Sequence, residues 1–324
     1  MASQPLVSVA LCTYNGARYL GEQLQSLFGQ THQELEIIAV DDGSTDGTVE
    51  LLQEHARRDA RLQVHVNPAN LGFRRNFEKA LSLCGGSLIA PCDQDDVWEP
   101  QKIAVLCSAL GERAMAYCDS RLIDSEGRSL AVRVSDIRRL GPIDGAAPFA
   151  LGNCVSGHAM LFRQSLLAGA LPVPPEFFHD WWLAAVAAAR GGVAYVDQCL
   201  VQYRQHDDSV TDISRARSGA AGTKAAGRRL QRSRDEALRM TTLAALPGPD
   251  QQLLQQLAQQ WRRRETRWLT PRLFLLMLSH QQRLHQFDRQ SSASLLPGTA
   301  KYLWGLKLKA LVNRRAYSST ADPE

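Results

Sequence analysis

Asp93-Gln94-Asp95-Asp96 follows the apolar run Leu88-Ile89-Ala90-Pro91-Cys92, so three carboxylates stand where a buried strand would leave the core. In an open α/β sheet, ligands bind beyond the carboxyl ends of the strands. A hard divalent cation, Mg²⁺ or Mn²⁺, takes one or two carboxylates together with phosphate oxygens. If the chain stays extended, the two-residue strand period puts Asp93 and Asp95 on one face and Gln94 and Asp96 on the other. That spacing suits a metal-diphosphate site. Asp96 could instead cap the helix that Pro100 begins.

The elements that must hold this turn are legible upstream. Val7 to Cys12, Leu35 to Val40, Leu62 to Val66 and Leu88 to Ala90 read as strands. Between them Arg18 to Phe28, Thr48 to Arg57 and Phe73 to Leu83 carry apolar residues at helical spacing. This alternation predicts βα units around a mostly parallel sheet. Gln101 to Leu110 and Ala114 to Cys118 make a further helix-strand pair. Residues 119 to 152 predict a long loop or small ribbon. After them come a strand over Cys154 to Phe162, a helix over Trp181 to Ala189, and a hairpin of Val193 to Val196 with Leu200 to Tyr203.

At 324 residues and 35.8 kDa the chain exceeds the usual single domain. From Ser214 onward 20 Lys and Arg face 7 Asp and Glu, a balance of +13, against 17 and 26 before it, a balance of −9. The expected division is therefore 1–213 and 214–324, the second part being helical over 224 to 245, 250 to 268, 272 to 288 and 299 to 313. Seven cysteines with no Cys-x-x-Cys pair predict reduced thiols. The first residues lack a basic stretch followed by a long apolar run, and no stretch of eighteen apolar residues exists. A cytoplasmic protein is expected.

Four features stand in order: Thr13-Tyr14-Asn15-Gly16 after the first apolar run, Asp41-Asp42-Gly43-Ser44, Asn70-Leu71-Gly72, and Asp93-Gln94-Asp95-Asp96. Over about residues 6 to 208 the set resembles the family 2 glycosyltransferases of GT-A fold. The resemblance implies inverting transfer of a sugar from a nucleotide diphosphate, with Mg²⁺ or Mn²⁺ on the diphosphate. By matching position, Thr13, Tyr14 and Asn15 would line the nucleotide pocket, and Asp41 and Asp42 would stand at the base, Asp42 accepting an imide N–H. Asp93, Gln94 and Arg75 would meet the donor, with Asp93 and Asp95 at the metal. Tyr203-Arg204-Gln205-His206 resembles a segment whose His206 approaches the same metal.

Downstream, Asn153 to Met160 resembles the acceptor-side segment, where Gly157 would let backbone approach a sugar. His158 would either touch ligand or pack in the core. Phe178-His179-Asp180-Trp181-Trp182 resembles the family's Glu-Asp pair, with His179 replacing the first acid. Asp180 would be the general base, and Trp181 would wall the acceptor. The subgroup flavour resembles rhamnosyltransferases of polysaccharide and O-antigen assembly, which puts dTDP-rhamnose first and a UDP-hexose second as donor. The acceptor would be a glycan or a lipid-linked glycan.

The fold expected is thus α/β, a GT-A nucleotide-diphospho-sugar transferase domain with an α-helical C-terminal extension. Lys301 to Arg315 combines Leu and Trp with Lys and Arg, as in a helix lying in an anionic membrane interface. Peripheral contact with the cytoplasmic face of the inner membrane follows from that reading. Packing on the catalytic domain or on a second copy explains the composition equally, and no nucleic-acid motif accompanies it. The other functions weighed are a sugar nucleotidyltransferase, for which a Gly-rich basic phosphate loop after the first strand is missing, and a non-catalytic binding protein on the same scaffold.

Overall fold

The computed structural model describes residues 4–206, 225–289 and 292–305. Contacts divide the chain into two compact units, Met1–Asp144 with Asn153–Asp212, and Gly145–Gly152 with Ile213–Glu324.

The first unit is built on β1 (Val7–Thr13), β2 (Leu35–Asp41), β3 (Leu62–Val66), β4 (Leu88–Cys92), β5 (Val97–Trp98), β6 (Met115–Ile123), β7 (Ser129–Arg133), β8 (Met160–Arg163) and β9 (Val193–Arg204). They form one sheet in the order β3-β2-β1-β4-β8-β6-β9-β5, with β7 on β6. The half from β3 to β4 is parallel, as is β6 with β9, while β8 runs antiparallel to both its neighbours. Every residue of β1 and β4 is buried, which explains why both read as continuous apolar runs rather than as alternating ones.

Flanking helices are α1 (Ala17–Phe28), α2 (Thr48–Ala56), α3 (Phe73–Leu83), α4 (Lys102–Leu110), the single turn α5 (Val134–Ile137) and α6 (His179–Arg190). Leu20, Leu24 and Leu27 of α1 pack with Val9, Leu11, Ile37 and Leu106 in one core. Each such side chain contributes about 1.5–3 kcal/mol on burial.

Three local expectations change. The predicted hairpin over 193 to 203 is a single strand, because the polar step at Asp197-Gln198 is a bulge that lets Cys118 pair with Val196 and Asp119 with Cys199. The predicted strand over 154 to 162 shortens to Met160–Arg163, preceded by a 3₁₀ turn at Gly157–Ala159. Residues 119 to 152 do form a ribbon, β6 with β7, but Gly145–Gly152 joins the second unit, where the Ala147 N–H donates to Asp250 Oδ2 at 2.9 Å.

The second unit contains α7 (Ala225–Ala244), α8 (Gln251–Thr266), α9 (Pro271–Ser279), α10 (Gln281–Leu284) and α11 (Ser292–Ala300). The helix expected over 299 to 313 is replaced by a 3₁₀ turn at Lys301–Leu303 and an antiparallel bridge of Trp304 with Leu269. Its remainder lies outside the described residues. Among the described residues no helix is long and apolar enough to cross a membrane.

Candidate active site

The site forms at the carboxyl ends of β1, β2 and β4. Two loops there lock together. Thr13 Oγ1, the Gly43 and Ser44 N–H groups and Ser44 Oγ all donate to the buried Asp41, at 2.6–3.1 Å. Asn15, at φ +47°, gives its N–H to Ser44 Oγ and takes the Thr45 N–H on Oδ1. Gly16 and Ala17, whose N–H groups start α1, donate to Thr48 Oγ1 and Asp46 Oδ2. A neighbouring loop thus satisfies donors that a helix start leaves open.

Asp42, expected to meet the base, is buried and holds the next loop. Its Oδ1 accepts Asn67 Nδ2 and the Leu71 N–H at 2.8 Å, and its Oδ2 accepts the Gly72 N–H at 2.9 Å. Of the five residues expected around the nucleotide, Thr13, Asp41 and Asp42 are therefore buried in hydrogen bonds of the protein, and Tyr14 and Asn15 are exposed. Arg75 is exposed at the first turn of α3. Gln94 is a clasp: its Oε1 accepts the Tyr14 N–H at 2.8 Å and its Nε2 donates to the Tyr14 carbonyl at 3.0 Å. Gly16 makes room, since a Cβ there would meet Gln94 Oε1 at 2.1 Å.

The acid turn departs from strand periodicity because β4 stops at Cys92. Asp93, Asp96 and His158 offer ligand atoms that all lie within 4.8 Å of one another. Asp95 turns elsewhere, Oδ2 standing 2.8 Å from His206 Nε2. Asp93 thus lies with Asp96 and His158, Asp95 pairs with His206, and the charge of Asp95 reaches Asp93.

His158 is 3 % exposed, with Nδ1 3.3 Å from Asp96 Oδ2 and Nε2 3.1 Å from Ser120 Oγ. Both ring nitrogens face protein groups. Gly157 stands against His179 Nε2, which a Cβ would meet at 2.8 Å.

Electrostatics separate an inner from an outer tier. Asp96 is wholly buried, accepts the Arg204 N–H on Oδ1, and has no hydrogen-bond partner at Oδ2. Burial first, then the charges of Asp95 and Asp93, raise its carboxyl well above the usual range. Lys102, fully buried beneath, donates to the His158 carbonyl at 2.6 Å, and burial lowers its pKa to about 7. Asp93 keeps 41 % of its side chain exposed. Its carboxyl is also raised, by desolvation and then by Asp95 and Asp180, whose charges are near enough to act on it. Crowded carboxylates with an orphaned buried oxygen and one weakly basic lysine form a donor set that fits a hard divalent cation.

Asp180 stands in the first turn of α6. Its Oδ1 accepts the Trp181 N–H at 2.6 Å and its Oδ2 the Asn153 amide at 3.3 Å. Burial raises its pKa to about 6, outweighing the Trp181 N–H. His179 stacks on Phe77 with ring centroids 3.8 Å apart, and neither ring nitrogen has a partner. Trp181 is half-buried and edge-on to Phe177, while Trp182 is a core residue with Nε1 on the Ala170 carbonyl.

Lys102 and the proximity of His158 to Asp96 and Ser120 were not anticipated. The signal for Lys102 was present: it sits four residues before Leu106, inside the apolar stripe of α4. Arg204 bears more structure than expected, donating to the Asp95 carbonyl at 2.7 Å and to Glu22 at 2.5 Å.

Against known proteins, the Glycosyl transferase family 2 model matches residues 8–169. An uncharacterized glycosyltransferase of Haemophilus influenzae is 38% identical over 233 residues, covering 66% of this chain and 69% of that protein. The putative teichuronic acid biosynthesis glycosyltransferase TuaG of Bacillus subtilis is 29% identical over 214 residues, covering 64% and 82%. Residues 1–349 of S. aureus TarS, solved with UDP-GlcNAc, superpose with a TM-score of 0.56 at 17% identity, covering 86% and 81%. At that identity the likeness speaks for the fold.

Proposed function

The chain belongs to glycosyltransferase family 2, and from that premise we propose that it is an inverting, divalent-metal-dependent enzyme that moves a sugar from a nucleoside diphosphate to a hydroxyl of a glycan or lipid-linked glycan. The observation that carries this reading is Asp180, a half-buried carboxyl in the first turn of α6 with a pKa of about 6, whose charge reaches Asp93. At neutral pH it is mostly ionised yet basic enough to take a proton, the balance a general base needs.

Asp180 would accept the proton of the acceptor hydroxyl as that oxygen bonds to the anomeric carbon. The bond from that carbon to the diphosphate breaks on the opposite face, on the side of Asp93 and Asp95. Mg²⁺ or Mn²⁺, when bound, would neutralise charge on the departing diphosphate. Asp93 and Asp95 with His206 would hold it, being the partly exposed members, since such a cation keeps waters and phosphate oxygens. Asp96 and His158, buried behind, would orient Asp93. Lys102 would fix the His158 backbone. Tyr14, Asn15 and Arg75 would meet the nucleotide and the phosphates.

For the donor, dTDP-rhamnose stands first and a UDP-hexose second, on the subgroup motifs Asn70-Leu71-Gly72-Phe73 and Tyr203-Arg204-Gln205-His206. Release of nucleoside diphosphate from a panel of dTDP-, UDP- and GDP-sugars with Mn²⁺ tests the reading. One donor should be hydrolysed or transferred, and much more slowly by Asp180→Asn. Release from none of them, with no stabilisation by any nucleotide, would overturn it.

A further inference from the structure

In the second unit three large apolar side chains stand open: Trp268 is 44% exposed, Leu269 51% and Trp304 44%. Leu269 and Trp304 are cross-strand partners of an antiparallel bridge, which places their side chains on one face. The platform beneath is firmly tied. The Thr270 N–H donates to the Leu303 carbonyl at 2.8 Å, the Gly305 N–H to the Trp268 carbonyl at 2.8 Å, and Thr270 Oγ1 to the Tyr302 carbonyl at 2.6 Å. Buried Arg264 lies over the rings of Trp261 and Tyr302, at 5.7 and 5.2 Å from their centroids. Gly305 is required for this closeness, since a Cβ would meet the Arg267 carbonyl oxygen at 1.7 Å. The exposed side chains are thus presented without an ordering cost at binding.

Exposed cations stand near them. Arg267 is exposed two residues before Leu269, across the bend at Trp268. Arg272 and Lys301 are exposed beside the two strands of the bridge. An isologous contact with a second copy would bring these cations against one another. Nucleic acid would meet the charge but would leave Leu269 without a counterpart. Tryptophan and leucine ringed by arginine and lysine match the boundary of an anionic bilayer, where the aromatic ring sits at headgroup depth and the cations meet phosphate.

We propose that Leu269 and Trp304, with the exposed Arg267, Arg272 and Lys301 near them, form a docking face for the surface of an anionic lipid bilayer. The assignment is independent of the donor chemistry above. The test is co-sedimentation of the full chain with vesicles of phosphatidylcholine alone and of equal parts phosphatidylcholine and phosphatidylglycerol. Binding should require the anionic lipid and weaken with added salt. Leu269→Ser with Trp304→Ser should reduce it roughly tenfold or more, and Arg267→Gln with Arg272→Gln should flatten its salt dependence. Brominated lipid chains should quench tryptophan fluorescence of the unmodified protein, a readout that needs no variant to fold. Absence of binding or quenching would overturn the proposal, as would full binding by the Leu269/Trp304 variant. So would dimerisation that the same substitutions abolish, or preference for duplex DNA over vesicles.

Discussion

The loops after β1 and β2 and the turn after β4 use the same residue types at the same edge of the sheet, yet their polar groups live differently. Asp41 and Asp42 receive seven hydrogen bonds between them from Thr13, Gly43, Ser44, Asn67, Leu71 and Gly72. Burial first, then the charges of neighbouring carboxylates, pushes Asp93 and Asp96 toward neutrality, and Asp96 Oδ2 has no hydrogen-bond partner. Asp41 and Asp42 are answered by many donors of the protein, whereas Asp93 and Asp96 are held near other carboxylates with fewer.

The widest difference between the two regions should appear with Asp180→Asn. Turnover is expected to fall about 10²- to 10⁴-fold, with nucleotide affinity nearly unchanged, as steady-state rates beside calorimetric binding would show. Asparagine can still accept the Trp181 N–H, so loss of folding should not mimic the effect. The same group predicts that turnover declines as pH falls below about 6, where Asp180 takes up its proton.

Asp42→Ala should act on stability. Removing the carboxylate takes the acceptor from the Leu71 N–H and from one N–H of Asn67, while the Gly72 N–H keeps Asn70 Oδ1, and urea unfolding should register a loss of about 2–3 kcal/mol. An unchanged midpoint would erase the distinction between the two regions.

A smaller effect of opposite sign is expected of Asp180→Asn at the level of folding. Because the folded pKa of Asp180 lies above its usual value of 3.8, its contribution is fully present below that value and is lost as pH rises through about 6. The asparagine variant should therefore be more stable than the unmodified protein at pH 7, by about 1–3 kcal/mol, and gain little at pH 4. Smallest is Gln94→Ala, which opens the clasp on Tyr14 and should cost about 1 kcal/mol.

How far the sequence reached follows the same division. Buried strands and amphipathic helices were readable because their apolar spacing is local, and so was the crowding of acids at one sheet edge. Which acid faces which partner was not, since it depends on where β4 stops. Two-residue spacing paired Asp93 with Asp95, whereas the turn after Cys92 brings Asp93 to Asp96 and His158. That Gly157 stands against His179, and Gly16 against Gln94, likewise depends on residues distant in sequence. The bulge at Asp197-Gln198 resembled a turn because polar residues interrupt a strand in either case.

The most direct measurement is a calorimetric titration of dTDP and UDP with and without Mn²⁺ into the unmodified protein, Asp95→Asn and Asp180→Asn. Acids converging on one metal-diphosphate site predict binding that needs Mn²⁺, is lost in the Asp95 variant and survives in the Asp180 variant. Equal affinity without the metal, or full metal-dependent binding by Asp95→Asn, would contradict it.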